Sequence, residues 1–210
     1  MRFLIRVFTT LSLCTVLLGC FGVGGQEHNR LSSTVTVSPR APLERYVIAV
    51  ADFDSTHGEK YNDGVSNYTP FSNSGVRMAD VIATRLMALT QCRLVERSQL
   101  KHVLEELKLQ MTDLVNLDKL REVGRLLGAD AVVFGRAEGW TWANRFGWGN
   151  SLDAAFRLVD VKTGEVLWAT EGAVVRINTT DDVYQLLATD ICEKLSVQMQ
   201  SVNKNSSVVR

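Results

Sequence analysis

Tyr46-Val-Ile-Ala-Val-Ala-Asp-Phe53 is the stretch that decides the fold. Its apolar run is nearly continuous, not alternating. A strand written that way is covered on both faces, which makes it a central strand of an α/β sheet. Asp130-Ala-Val-Val-Phe-Gly-Arg136 repeats the pattern further on. Between the two lie helical patterns. Residues 75–89 carry Met78, Ile82, Leu86 and Leu89 as one stripe. A short strand is expected over Cys92–Glu96. Leu100, Val103, Leu104 and Leu107 then mark a helix over about 98–110, with Ser98 as its expected N-cap. Leu117, Leu120, Gly124 and Leu127 mark another over about 117–127, with Gly124 allowing close packing and Gly128 as the stop.

Working outward, Leu152–Val161 and Glu165–Ile177 read as two further strands. Lys162-Thr163-Gly164 joins them as a hairpin loop in which Gly164 supplies positive φ. Val183, Leu187, Ile191 and Leu195 place a last helix over about 180–199, and the polar tail from Ser201 is expected to fray. The order β-α-β-α-α-β-β-β-α implies parallel pairing among the early strands and antiparallel pairing in the later hairpin. The expected fold class is α/β: a single mixed β-sheet of about five strands flanked by about four helices, over residues 46–200.

The N-terminal region reads differently. Arg2 and Arg6 precede an apolar run from Val7 to Leu18, too short to span a bilayer. With a small residue at the cut site this is a secretory signal peptide over residues 1–19. Leu17-Leu18-Gly19-Cys20 resembles a bacterial lipobox. The resemblance implies cleavage before Cys20, a diacylglycerol on its sulfur and an acyl chain such as palmitate on its amine. Residues 20–45 are rich in Gly, Ser and Thr and read as a lipidated flexible tether. Phe21 stands where an aspartate would favour inner-membrane retention in enteric-type lipoproteins, so the resemblance implies the periplasmic side of the outer membrane.

Composition excludes several classes. Basic and acidic residues are balanced at 23 each. No basic excess is present to hold nucleic acid. Cys92 and Cys192 remain once the leader is removed and Cys20 is acylated. In an oxidising compartment they form either a disulfide or two buried thiols, and spacing does not decide between them. His28, His57 and His102 stand at no metal-ligand spacing, and no cofactor fingerprint or nucleophile–base pair is present, so the expectation is a non-enzymatic protein with no metal or cofactor. Residues 54–74 read as a long polar loop in which Asp54, His57, Glu59 and Asp63 are solvated, and Glu96-Arg97 reads as a charged strand-to-helix corner. Trp140, Trp142, Phe146 and Trp148 cluster in an expected loop over residues 137–151. Clustered aromatics there mark a partner interface, a membrane-surface contact or a small satellite core.

Three further stretches together resemble the CsgG family of curli production assembly/transport lipoproteins. They are Val47–Asp54, Leu94-Val-Glu-Arg-Ser-Gln-Leu-Lys-His-Val-Leu-Glu-Glu106, and Leu127–Gly135 followed by Leu158–Leu167. The resemblance covers roughly residues 46–175. It implies a periplasmic domain shaped like the N-terminal domain of TolB and partners among other envelope proteins or copies of itself. The family's secretion channel carries two long membrane-spanning hairpins per subunit; one candidate stretch is present here, so a pore is not expected. The function implied is assembly or secretion of a cell-surface structure, as an accessory or scaffold. The alternatives are a peptidoglycan-synthase activator of the LpoB type and an export pore subunit.

Overall fold

A computed structural model describes residues 30–37, 46–55, 58–90, 92–110, 113–114, 116 and 117–208. Cys20, His28 and His57 lie outside the described residues, as do the leader and most of the expected tether. The elements are β1 (Arg30–Val37), β2 (Val47–Val50), β3 (Tyr61–Asn62), β4 (Ser66–Pro70), α1 (Ser74–Thr90), β5 (Arg93–Leu94), α2 (Arg97–Glu106), α3 (Leu117–Leu127), β6 (Ala131–Asn144), β7 (Gly147–Asp160), β8 (Val166–Ile177) and α4 (Val183–Val208).

The fold is α/β with one mixed sheet and four helices. Its sheet has eight strands rather than the expected five or so, in the order β1-β8-β7-β6-β2-β5, with the β3–β4 hairpin added against β6. β2 pairs in parallel with β5 and β6, whereas β6, β7, β8 and β1 are antiparallel. The apolar run at Ile48–Val50 is buried from both sides. Ile48 and Val50 face the core under α1 and α4, and Ala49 faces a second core under α2 and α3. Each large aliphatic side chain so removed from water contributes about 1.5–3 kcal/mol.

The larger core includes Phe53 stacked on Phe156 at 5.0 Å, with Trp168 edge-on to Phe156 at 5.6 Å. The smaller holds Leu100, Leu104, Leu120 and Val123 against Val132, Phe134, Val159 and Val161. Gly124 sits where a Cβ would lie 2.5 Å from Val161 Cγ1, so its lack of a side chain lets α3 approach the sheet. Gly128 ends α3 at φ 62°, and Gly164 makes the β7–β8 turn at φ 75°.

Four expectations are corrected. Residues 30–37 belong to the sheet: β1 pairs along its whole length with β8, so the tether reading fails there. Ser98 does not cap α2; Glu96 occupies that position without a side-chain cap bond. Residues 137–151, the one hairpin candidate, do form a hairpin, so the loop reading fails: they are the outer halves of β6 and β7 joined through Arg145 and Phe146. α4 continues to Val208, beyond the expected start of the tail. Cys92 and Cys192 are both buried thiols with no disulfide between them.

Candidate functional site: the uncovered face of the sheet

Alternation along a strand sends successive side chains to opposite faces. One face of β6, β7, β8 and β1 lies under α1 and α4. Among the described residues, the other is covered by α2 and α3 only at the end bearing Val132, Phe134 and Val159. The remainder is open, and pairing register arranges it in rows. Arg136 of β6 lies opposite Ala155 of β7, which lies opposite Glu171 of β8 and then Thr34 of β1. The next row is Glu138, Asp153, Ala173 and Ser32; the row after that is Trp140, Ser151, Val175 and Arg30.

The small residues in the middle of these rows leave a trough of about 490 Å³, with Arg136, Glu138, Asp153 and Glu171 on its walls. A second hollow of about 470 Å³ continues from Arg136 toward Asp52, Asp54 and Arg157. Asp153 is raised above its ordinary carboxylate value, first by desolvation and then by the charge of Glu138 directly across the strand pair; Arg136 opposes the shift. Like charges placed opposite each other destabilise a sheet. Their presence on an uncovered surface is a cost that packing of the core does not require.

Beyond the charged rows lies an aromatic one. Tyr61, Tyr68, Trp142 and Gly149 are consecutive cross-strand partners. The rings of Tyr61 and Tyr68 are 6.0 Å apart. Trp142 lies over Gly149, where a Cβ would stand 2.6 Å from its Cε2. Trp140 meets Gly58, a position with no room for a side chain.

The expected aromatic cluster is therefore divided. Trp140 and Trp142 face the open side. Trp148, out of phase with Gly149, faces the other side, and Phe146 projects from the turn. The 54–74 segment expected as a long loop contains the β3–β4 hairpin, which supplies Tyr61 and Tyr68 to the open face. Their alignment with Trp142 is set by pairing between strands far apart in the chain, not by local pattern. The alternating Asn-Tyr-Thr-Pro run before Phe71 was the available signal.

Other sequence candidates have structural roles. Asp63 Oδ1 accepts from the backbone N–H groups of Val65 and Ser66, and these bonds hold its carboxyl below the ordinary value. Arg97 ignores its neighbour Glu96. It pairs with Asp52 at 2.8 Å and with Asp80, tying α2 to the segment just after β2 and to α1. His102 lies 3.2 Å from Glu106 on the exposed side of α2.

The sequence profile of the family described as "Curli production assembly/transport component CsgG" matches residues 30–142. The chain belongs to the CsgG family. The match begins at the first residue of β1, in keeping with that strand's place in the domain. No curated protein matches this CsgG-family chain by sequence. Among solved structures it is similar to lipoprotein GNA1162 from Neisseria meningitidis, at 15% identity and a TM-score of 0.54, over 74% of this chain and 99% of that one. It is also similar to PelC from Paraburkholderia phytofirmans, crystallised as a dodecamer, at 18% identity and a TM-score of 0.49, over 80% and 96% of the two chains. A third is the LpoB C-terminal domain from Salmonella enterica, at 21% identity and a TM-score of 0.36, over 61% and 82%. The Neisseria structure shares the fold; at this identity no role transfers with it.

Proposed function

We propose that this CsgG-family protein is an outer-membrane lipoprotein, anchored through Cys20 on the periplasmic side, that works by protein–protein contact in assembly or export of a cell-surface structure. Family membership supports an accessory role in the cell envelope. The observation that carries the contact reading is the uncovered face of β1-β8-β7-β6, where a like-charge pair and an aromatic row stand in the open. Interfaces are enriched in such aromatic and arginine side chains. The partner is another envelope protein or a second copy of the chain.

Two observations bear on the alternatives. β1 shortens the segment between Cys20 and the domain to residues 20–29, which favours work close to the anchoring membrane over reach across the periplasm. The outer edges of the β6–β7 hairpin are taken by β4 and β8. That pairing favours an accessory subunit over one whose hairpin leaves the domain to enter a barrel.

The test combines native mass with site-directed photocrosslinking of the detergent-extracted, lipidated protein. A photoreactive residue at Ser151, on the open face, should give a discrete adduct, and one at Met87, exposed on α1, should not. A self-adduct with a multimeric mass identifies a homo-oligomer; an adduct of other mass identifies a heterologous partner. A monomer without an adduct at Ser151 refutes the contact reading. A Cys20→Ala chain that still fractionates fully with membranes refutes the anchor.

A further inference from the structure

Two arginines stand side by side on the open face without a counter-charge in contact. Arg136 of β6 lies opposite Ala155 of β7, and Arg157, two residues along β7, lies opposite Phe134. The arginines are therefore diagonal neighbours on one face, with Cα atoms about 7–8 Å apart. Among the described residues, neither guanidinium donates a hydrogen bond or stands at ion-pair distance from a carboxylate. The Arg157 guanidinium lies 5.0 Å from the Phe134 ring centre, which pins it at the surface of the sheet. Adjacent cations repel, and neither core needs them there.

Their surroundings define what they can hold. Both line the hollow of about 470 Å³, whose floor is the apolar surface of Phe134, Ala155 and Ala169. It lies at the carboxyl end of β2, where Asp52 and Asp54 follow the strand. The chain passes from β2 to α1 on one face of the sheet and from β5 to α2 on the other. Open α/β sheets take ligands in the crevice at such a switch of direction. Asp52 is already paired with Arg97 at 2.8 Å; Arg136, Arg157 and Asp54 then leave one net positive charge. The hollow thus suits a single negative charge carried on an apolar group. Arg136 and Ala155 also line the trough of about 490 Å³, so the two hollows are continuous. In the trough Glu138 and Asp153 lie one row beyond Arg136, about 7 Å along the strands. Along the strands the face therefore goes from positive to negative.

We infer that the joined hollows bind the carboxyl-terminal peptide of a partner protein. The inference rests on the reading that the open face takes a protein partner. The terminal carboxylate accepts from Arg136 and Arg157, whose planar forks match carboxylate geometry. The last side chain is apolar and covers Phe134, Ala155 and Ala169. The preceding residues run extended over the trough, whose far wall carries Ser32 and Thr34. A basic residue about three positions before the end reaches Glu138 and Asp153, since an extended chain advances about 3.3 Å per residue. That cation relieves the like-charge pair directly across β6 and β7. A lipid phosphate would answer the arginines, but an acyl chain laid along a carboxylate-lined trough would not; an extended peptide of this charge pattern answers both ends.

The test screens the full lipidated chain in detergent against two matched hexapeptide libraries, one ending in a free carboxylate and one in an amide. The carboxylate library should be retained roughly tenfold better or more. Its retained members should end in an apolar residue, with Lys or Arg about three positions earlier. Arg136→Gln and Arg157→Gln alter exposed side chains, and each should cut the carboxylate preference to within about twofold. Arg157→Lys should keep part of it, because the charge remains while the fork is lost. Glu138→Gln combined with Asp153→Asn should remove the basic preference and leave the carboxylate preference. Equal retention of the two libraries, retention of neither, or a preference that survives in the double arginine variant overturns the inference. Phosphatidylglycerol bound through the same two arginines, with no peptide retained, would show a lipid ligand and overturn it as well. Photocrosslinking at Ser151 separates this inference from the contact reading. An adduct there without a carboxylate preference leaves the contact reading standing; a carboxylate preference without an adduct leaves the peptide site standing.

Discussion

Lys194 on α4 donates from its ammonium to the backbone carbonyl of Ser33 on β1, at 2.9 Å, and to Asp190 one helical turn earlier, at 2.8 Å. Ser33 Oγ closes the network on the same carboxylate at 2.7 Å. Gln198, a turn further along α4, donates to the Val35 carbonyl. Ser33 and Val35 alternate with Thr34 along β1, so both carbonyls lie on one edge of the strand. An unpaired strand edge is a template for pairing with another chain. Here helix side chains occupy it, and this weighs against strand addition at β1 as the mode of partner binding.

Lys194→Met should therefore loosen β1 specifically. Charge-assisted hydrogen bonds are worth about 1.5–3 kcal/mol when buried, and Lys194 is partly exposed, so a loss of about 1–2 kcal/mol is expected in urea unfolding. Amide exchange in residues 30–37 should accelerate more than in β6 or β7. Equal acceleration across the sheet would refute a local clasp.

The clasp also explains why β1 is hard to see in the sequence. Thr34-Val35-Thr36-Val37 alternates as an edge strand should, but Ser32 and Ser33 interrupt the pattern. Ser33 is buried because Asp190 and Lys194, more than 150 residues away, satisfy its hydroxyl. The central strands need no such distant help, so Ile48–Val50 and Ala131–Phe134 are legible from apolar content alone. The hairpin tip is obscured for another reason. Gly139, Gly147 and Gly149 suggest a loop, yet Gly139 lies under Phe71 and Gly149 under Trp142. Those two glycines make room for aromatic rings crossing the sheet, and the pairing partners that show this are far apart in the chain. The half of the candidate site carried by Trp140 and Trp142 was visible; the Tyr61–Tyr68 half depended on β3 and β4.

Gly124 offers a test of packing that can be cross-checked. Its absent Cβ would meet Val161 Cγ1 at 2.5 Å and Cγ2 at 2.7 Å. Gly124→Ala gains helix propensity of up to about 1 kcal/mol, but overpacking a filled core costs about 1–3 kcal/mol. Net destabilisation is expected by thermal unfolding. In a Val161→Ala background the clash is gone, and the same Gly124→Ala change should become neutral or stabilising. A penalty of the same size in both backgrounds would show that the close approach is not its cause.

The helix caps separate the sequence expectation from the structure. Asn116 Oδ1 accepts from the N–H groups of Asp118 and Lys119 at 3.0 and 3.3 Å, so Asn116→Ala should cost about 1 kcal/mol. Ser98 caps nothing at the start of α2, and Ser98→Ala should stay within about 0.5 kcal/mol of the parent. Reversed magnitudes in chemical unfolding would return the cap to Ser98.

The two cysteines should behave as inert thiols. Burial pushes Cys192 up to about 11, against a smaller opposing effect of Arg85, and Cys92 lies in the core under α1 and α4. The thiolate is the reacting species. Without reductant, both should resist alkylation at neutral pH while folded and both should label after denaturation, as read by peptide mass. A mass consistent with a Cys92–Cys192 cross-link in the unreduced protein would contradict this.

Asp153 links the open face to pH. Burial, and then Glu138, raise its carboxyl in the folded protein above the ordinary value of 3.8. A raised folded value means that protonated Asp153 favours the folded state. That contribution is complete below the unfolded value and is lost as pH rises through the folded one. Ionised Asp153 is thus a liability at neutral pH, and Asp153→Asn should raise Tm there. The gain should shrink as pH falls through the folded value, where the parent carboxyl takes up its proton. Glu138→Gln should give a smaller gain over the same range, because Glu138 is the second contributor to the shift and desolvation the first. If Asp153→Asn lowers Tm at pH 7, Asp153 is held by favourable contacts, and the Glu138–Asp153 pair does not mark an interaction face.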